Sequence, residues 1–168
     1  CAVFQVAEPG ADPEPWRSIY GTPMTLGSLA FTVTMGFAGG AMGAFITSKG
    51  DPYWTISGGL AGMISIASGV DVYHPALGYL VGFAGGGLAV VVGNRLERCG
   101  IDDAVGAIAV HGGAGVWSML AMGLFASGYP QHEENVTSLT GQLVGIAVMI
   151  GVGFVPGYLI SLGLNRAG

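Results

Sequence analysis

Charge is what this sequence has least of. Asp, Glu, Lys and Arg make up 9% of its 168 residues, against roughly 25% in a typical soluble domain. A domain that must cover itself against water cannot do so with that supply, whereas a chain that is 51% hydrophobic is suited to lipid. Basic residues are scarcer still: the 5 Lys and Arg form no cluster, which excludes a nucleic-acid-binding surface. Cysteine is nearly absent. Cys1 stands at the first position and Cys99 in a charged loop, so no disulfide framework is expected. Catalytic signatures are missing as well: there is no His-Glu-x-x-His, no Gly-x-Ser-x-Gly elbow and no glycine-rich phosphate loop ending in Lys-Ser/Thr. We expect no enzyme, no cofactor and no metal site.

What the chain has in quantity is glycine and long apolar runs. Crossing about 30 Å of hydrocarbon takes roughly 20 apolar residues in a helix. Residues 23–47, 53–70, 75–94, 104–126 and 138–162 supply five such candidates, the second being the shortest. Between them lie the turn Lys49-Gly50-Asp51-Pro52, the turn bracketed by Asp71 and His74, the charged stretch with Arg95, Glu97 and Arg98, and a polar loop carrying Pro130, His132, Glu133 and Glu134. The fold class expected is all-α, a polytopic membrane helix bundle of five transmembrane helices. Residues 1–22 read differently: a short apolar run gives way to Pro9, Pro13 and Pro15, which suits the end of a preceding helix followed by an external loop. With Cys1 where a start methionine would be, we expect a piece of a longer protein. Pro23 suits a helix start, and Pro156 is expected to kink the last span.

Five spans alternate the sides of the connections. Lys49, Arg95, Arg98 and Arg166 then share one side and Arg17 takes the other. The excess of basic residues puts the first group, and the carboxyl terminus, in the cytoplasm. Trp16, Tyr20, Tyr53, Trp54, Tyr73 and Tyr129 fall near span ends, where aromatic rings favour the interface. Trp117 lies inside the fourth span and reads as packing. Asn135-Val136-Thr137 has the form of a glycosylation sequon on the outer side.

Pairs of glycines four residues apart recur: Gly36/Gly40, Gly39/Gly43, Gly58/Gly62, Gly78/Gly82, Gly82/Gly86, Gly141/Gly145 and Gly153/Gly157. Such spacing places both on one helix face and lets a neighbour approach closely, so the bundle is expected to be compact. The fourth run is the most specific part of the chain. Asp102 and Asp103 precede it and are expected to cap its start. One ionisable group then interrupts it: His111, followed by Gly112, Gly113 and Gly115. An ionisable residue at bilayer depth is a functional candidate by default; the competing reading is a histidine that only joins two helices by a hydrogen bond. Asp71 and His74 read as turn chemistry.

The stretch DDAVGAIAVHGGAGVW resembles the signature of the ammonium transporter (Amt) family around the second of its two pore histidines. SGGLAGMISIASGVDVYHPALGYLVGFAGG is similar to the preceding pair of helices with their external turn, and TLGSLAFTVTMGFAGGAMGAF to the helix before those. The wording is closer to Amt than to the related Rh proteins. The resemblance runs in order over most of 23–162 and implies the last five helices of an eleven-helix inverted-repeat fold, one half of a subunit whose homotrimer carries a pore in each subunit.

The resemblance also implies site residues. His111 matches the second pore histidine, and Ser57, Leu60 and Ala107 match pore-lining positions, the last two with altered side chains. Phe4 matches the external gate phenylalanine, but Glu8 stands where the family often has a small hydroxyl residue, which alters the external cation site. The first pore histidine belongs to the other half, since His74 and His132 are in loops. The function implied is passage of ammonium or ammonia through an apolar pore, with membrane lipid around it, a homotrimeric assembly and a cytoplasmic regulator of the PII type as partners. Two other readings stand beside it: an Amt-like sensor domain of a signalling protein, and a half-pore that conducts nothing by itself.

Overall fold

The computed structural model describes residues 18–21, 25–129 and 136–167, and what it describes is helical. The order is α1 (Leu26–Thr47), α2 (Pro52–Ile66), α3 (Pro75–Arg98), a π-helical turn π1 (Ile108–Gly113), α4 (Ala114–Phe125) and α5 (Leu139–Ala167). The all-α membrane bundle expected from composition is therefore what forms. α1, α3, the continuous π1–α4 segment and α5 are each long and apolar enough to cross a bilayer.

Local sequence sets the helix starts. The Thr25 hydroxyl accepts the Ser28 N–H at 3.1 Å to cap α1. Asp51 accepts the Trp54 N–H at 2.9 Å to cap α2, with Pro52 next in line where its missing N–H costs nothing. His74 does the same for α3: its Nδ1 accepts the Ala76 N–H at 3.2 Å ahead of Pro75. Lys49 and Gly50, both at positive φ, fold the chain back between α1 and α2. Pro23 lies outside the described residues, and α1 begins at Leu26.

Three helices depart from the spacing of the sequence. α2 closes at Ile66, and 67–73 form turns. Its 15 residues reach about 22 Å, because the following donors leave the α pattern: the Ala67 N–H tightens onto the Ile64 carbonyl at 3.1 Å, and the Ser68 N–H bonds the Ser118 hydroxyl at 3.0 Å. α3 runs on to Arg98, its last turn carrying Arg95 and Arg98, whose charge complements the negative helix end. The fourth span becomes helical only near Ala107, after the irregular stretch 101–106. α5 is continuous through Pro156.

α1, α2 and α3 form a three-helix core held by backbone contact. A side chain at Gly40 would run into the carbonyl of Gly58, one at Gly86 into that of Gly40, and one at Gly82 into that of Gly36. Gly39 and Gly43 meet the backbone of α3 at Tyr79 and Phe83. No hydrophobic effect drives helices together in lipid, so this close packing does it. α4 joins through a second layer in which Ile66, Val72, Tyr73, Leu77, Val81, Ala121 and Met122 are buried together. Tyr73 is thus a core residue, wholly buried against Gly69, and not an interface ring.

α5 packs on α4 alone to any extent, with Gly123 against Leu139 and Gly145 against Met119. Gly153 and Gly157, spaced like the core pairs, have open space where a side chain would go. Gly153→Ala is accordingly expected to be tolerated and to raise stability by about 0.5–1 kcal/mol, the helix-propensity advantage of alanine, measured by denaturant unfolding in detergent.

Candidate functional site

The fourth span is built in two pieces. Residues 101–106 form an irregular lead-in that ends at Gly106, whose φ of +68° is a left-handed conformation open to glycine. The Asp103 carboxylate then reaches forward over the helix start. One oxygen accepts the N–H groups of Ile108 at 3.0 Å and Ala109 at 3.1 Å, and the other lies 3.2 Å from the Ile108 nitrogen. Asp103 is the cap expected, set five residues ahead of the first nitrogen it holds. Asp102 is exposed beside it.

Past the cap the backbone takes the wider π form, and the Ala114 N–H reaches back five residues to the Ala109 carbonyl. Gly112 and Gly113 permit this: with no side-chain contacts to lose, they give up little in leaving α geometry. Gly113 also lets α3 approach, since a Cβ there would stand 3.2 Å from a Val92 methyl. Such turns are rare and concentrate at functional sites.

His111 lies in the middle of this turn, and its side chain is exposed. Its neighbour Val110 is 4% exposed, packed with Ala61 of α2, Ala89 of α3 and Ala114. Leu60 follows the same alternation on α2: Ala61 turns into the core while Leu60 is 48% exposed. Ser57, one turn earlier on α2, is partly buried, and Ala107 is exposed. The structure therefore brings His111 and Ala107 together at π1, and Ser57 and Leu60 together on α2, the helix that packs against π1 through Ala61 and Val110. His111, Ala107 and Leu60 are each exposed. Phe4, Glu8, Trp16, His132 and Asn135 lie outside the described residues.

Two anchors fix the upper part of the span. The Trp117 indole N–H donates to the Val81 carbonyl of α3 at 3.0 Å. The Ser118 hydroxyl donates to the Ser68 hydroxyl at 2.9 Å while accepting the Ser68 N–H. Nothing in the sequence flagged Ser68 and Ser118; small hydroxyl residues in an apolar run look like any other small residue until a partner 50 positions away is known.

Away from this face, His74 stands edge-on to Tyr20 with ring centroids 6.3 Å apart. Burial pushes the Asp71 carboxyl above the usual carboxylate range, an effect its own backbone hydrogen bond opposes. Thr137 of the sequon is buried. Cys99 is exposed and free at the end of α3.

The family model described as Ammonium Transporter Family matches residues 18–168. Ammonium transporter Amt2 of Methanocaldococcus jannaschii is 34% identical over 145 residues, covering 84% of this chain and 34% of that protein. Ammonium transporter Amt1 of the same organism is 31% identical over 145 residues, covering 83% of this chain and 36% of that protein. Ammonium transporter 1 member 4 of Arabidopsis thaliana is 32% identical over 120 residues, or 67% of this chain and 23% of that protein. The chain thus spans about a third of the length of the two archaeal proteins. With that family model matching most of its length and relatives more than 30% identical over most of it, the chain belongs to the ammonium transporter family.

Proposed function

We propose that this chain supplies one wall of a pore for ammonium or ammonia, with His111 as the polar group in an otherwise apolar passage. The observation that carries the reading is the direction of His111. A histidine exposed on a membrane span has no partner in hydrocarbon and is costly there; facing a passage closed by further protein, it has a ligand. The side that bears His111, Ala107 and Leu60 would be that wall, with Ser57 at its margin, and a second half of the protein would close it. The C-terminal end would lie in the cytoplasm, with a homotrimer as the assembly and a PII-type protein as a regulator on that side.

The chemistry follows from solvation. An ammonium ion stripped of water in a dry pore loses many kcal/mol of hydration, while ammonia loses far less. A passage that separates the proton from the ammonia avoids most of that cost. Neutral imidazole is suited to the task, since one ring nitrogen donates and the other accepts.

The test is His111→Ala in the full-length transporter, reconstituted and read by ammonium-driven current. Losing one hydrogen-bond partner for a desolvated ligand costs about 1–3 kcal/mol, so ammonium flux should fall by roughly 5-fold to 150-fold, or potassium should begin to carry current. Unchanged current with unchanged selectivity over potassium would remove His111 from the pore.

A further inference from the structure

The direction of His111 is not what its helix would give it. On α4, the buried residues Ala114, Ser118, Ala121 and Met122 mark one face. Residues three, four and seven apart share a face of an α-helix. Counting back from Ala114 and Ser118, an unbroken α-helix would put His111 and Ala107 on that buried face and Ala109 on the open one. The structure has the reverse: Ala109 and Val110 are buried while Ala107 and His111 are exposed. The five-residue reach from Ala114 to Ala109 is the cause. It inserts about one residue into the turn, which is about 100° of rotation.

Such a turn persists only if both ends are prevented from relaxing. Above it, Trp117 is tied to Val81 and Ser118 to Ser68, fixing α4 against α3 and the turn that follows α2. Below it, the Asp103 carboxylate holds the nitrogens of Ile108 and Ala109, the two residues at which the π-turn begins. Releasing the lower end lets the turn tighten to α geometry, which rotates His111 toward the place Val110 now fills, Val110 toward that of Ala109, and Ala109 toward the open side.

We infer that Asp103 and Ser118 are positioning residues for His111, holding π1 between them so that the imidazole faces the passage. This rests on the pore reading of His111. Neither residue touches ammonium; each acts through the backbone of the turn.

The experiment is a double-mutant cycle in the full-length transporter, reading the ammonium-over-potassium selectivity ratio, which does not scale with the amount of folded protein. Asp103→Ala is expected to lower the ratio by up to about 100-fold, the loss that a displacement of about an ångström at a reacting group can cause. Added to His111→Ala it should change nothing further, because residues acting through one group are not additive. Asp103→Asn keeps an accepting oxygen and should restore most of the ratio. If Asp103→Ala does not reconstitute, Ser118→Ala takes its place in the same cycle, with a smaller drop expected. A full additional loss on the His111→Ala background would overturn the inference, as would an Asp103→Ala or Ser118→Ala protein of unaltered ratio, or an Asp103→Asn protein no better than Asp103→Ala. An unaltered ratio in His111→Ala alone would instead overturn the pore reading beneath it.

Discussion

Gly40→Leu is expected to prevent α1, α2 and α3 from assembling. Gly40 is buried where three backbones meet: a side chain there would strike the Gly58 carbonyl and the backbone of Gly62, and the Gly40 carbonyl itself faces Gly86. Overpacking a well-filled core costs about 1–3 kcal/mol when flexible side chains can give way. Here the opposing atoms are main chain, so the helices themselves must separate, and the loss should exceed about 3 kcal/mol, a large part of the roughly 5–15 kcal/mol that holds a typical domain folded. The readout is the yield of monodisperse protein in detergent and the denaturant midpoint of whatever is recovered. Gly153→Leu on α5 is the control, since nothing stands within 4 Å of that position. Equal behaviour of the two variants would show that close backbone packing is not what joins these helices.

The second large effect is expected at Gly106. Its φ of +68° is unfavourable for a residue with a side chain and worst for a β-branched one. A Cβ there would also stand 2.9 Å from the Tyr53 hydroxyl. Gly106→Val should therefore cost about 2–3 kcal/mol, appearing as a lower denaturant midpoint. Gly106→Asn should cost about half as much, because asparagine tolerates the left-handed region. The physical reading is specific: the lead-in must reverse at Gly106 for Asp103 to reach Ile108 and Ala109. If Val and Asn variants were equally stable, backbone conformation at Gly106 would not be what sets the helix start.

Much of this molecule could be read before any coordinates. Scarcity of charge and the length of the apolar runs pointed to a helical membrane bundle, because lipid leaves the backbone no partner outside a helix or a closed barrel. The caps at Thr25, Asp51 and His74 and the prolines beside two of them are local chemistry. Asp103 belongs with them, as its place ahead of the fourth span marks it as a cap. The glycine spacing was legible as a possibility and no more. Gly36/Gly40 and Gly82/Gly86 meet other backbones, while Gly153/Gly157, identical in spacing, meet nothing. Whether a small residue packs depends on what lies across from it, and that is not written on its own helix.

The sequence by itself determined that these residues form apolar helices, where most of them start, and that a lone histidine sits among glycines in the fourth span. Only the tertiary structure decided which way that histidine faces. Read as continuous α-helix, the pattern around Ala114 and Ser118 puts His111 on the buried face. Two anchors set by distant parts of the chain, Val81 of α3 with Trp117 and Ser68 of the turn after α2 with Ser118, together with the cap at Asp103, leave the chain between them one residue out of register. The π-turn absorbs that residue, and the rotation it imposes turns the imidazole outward.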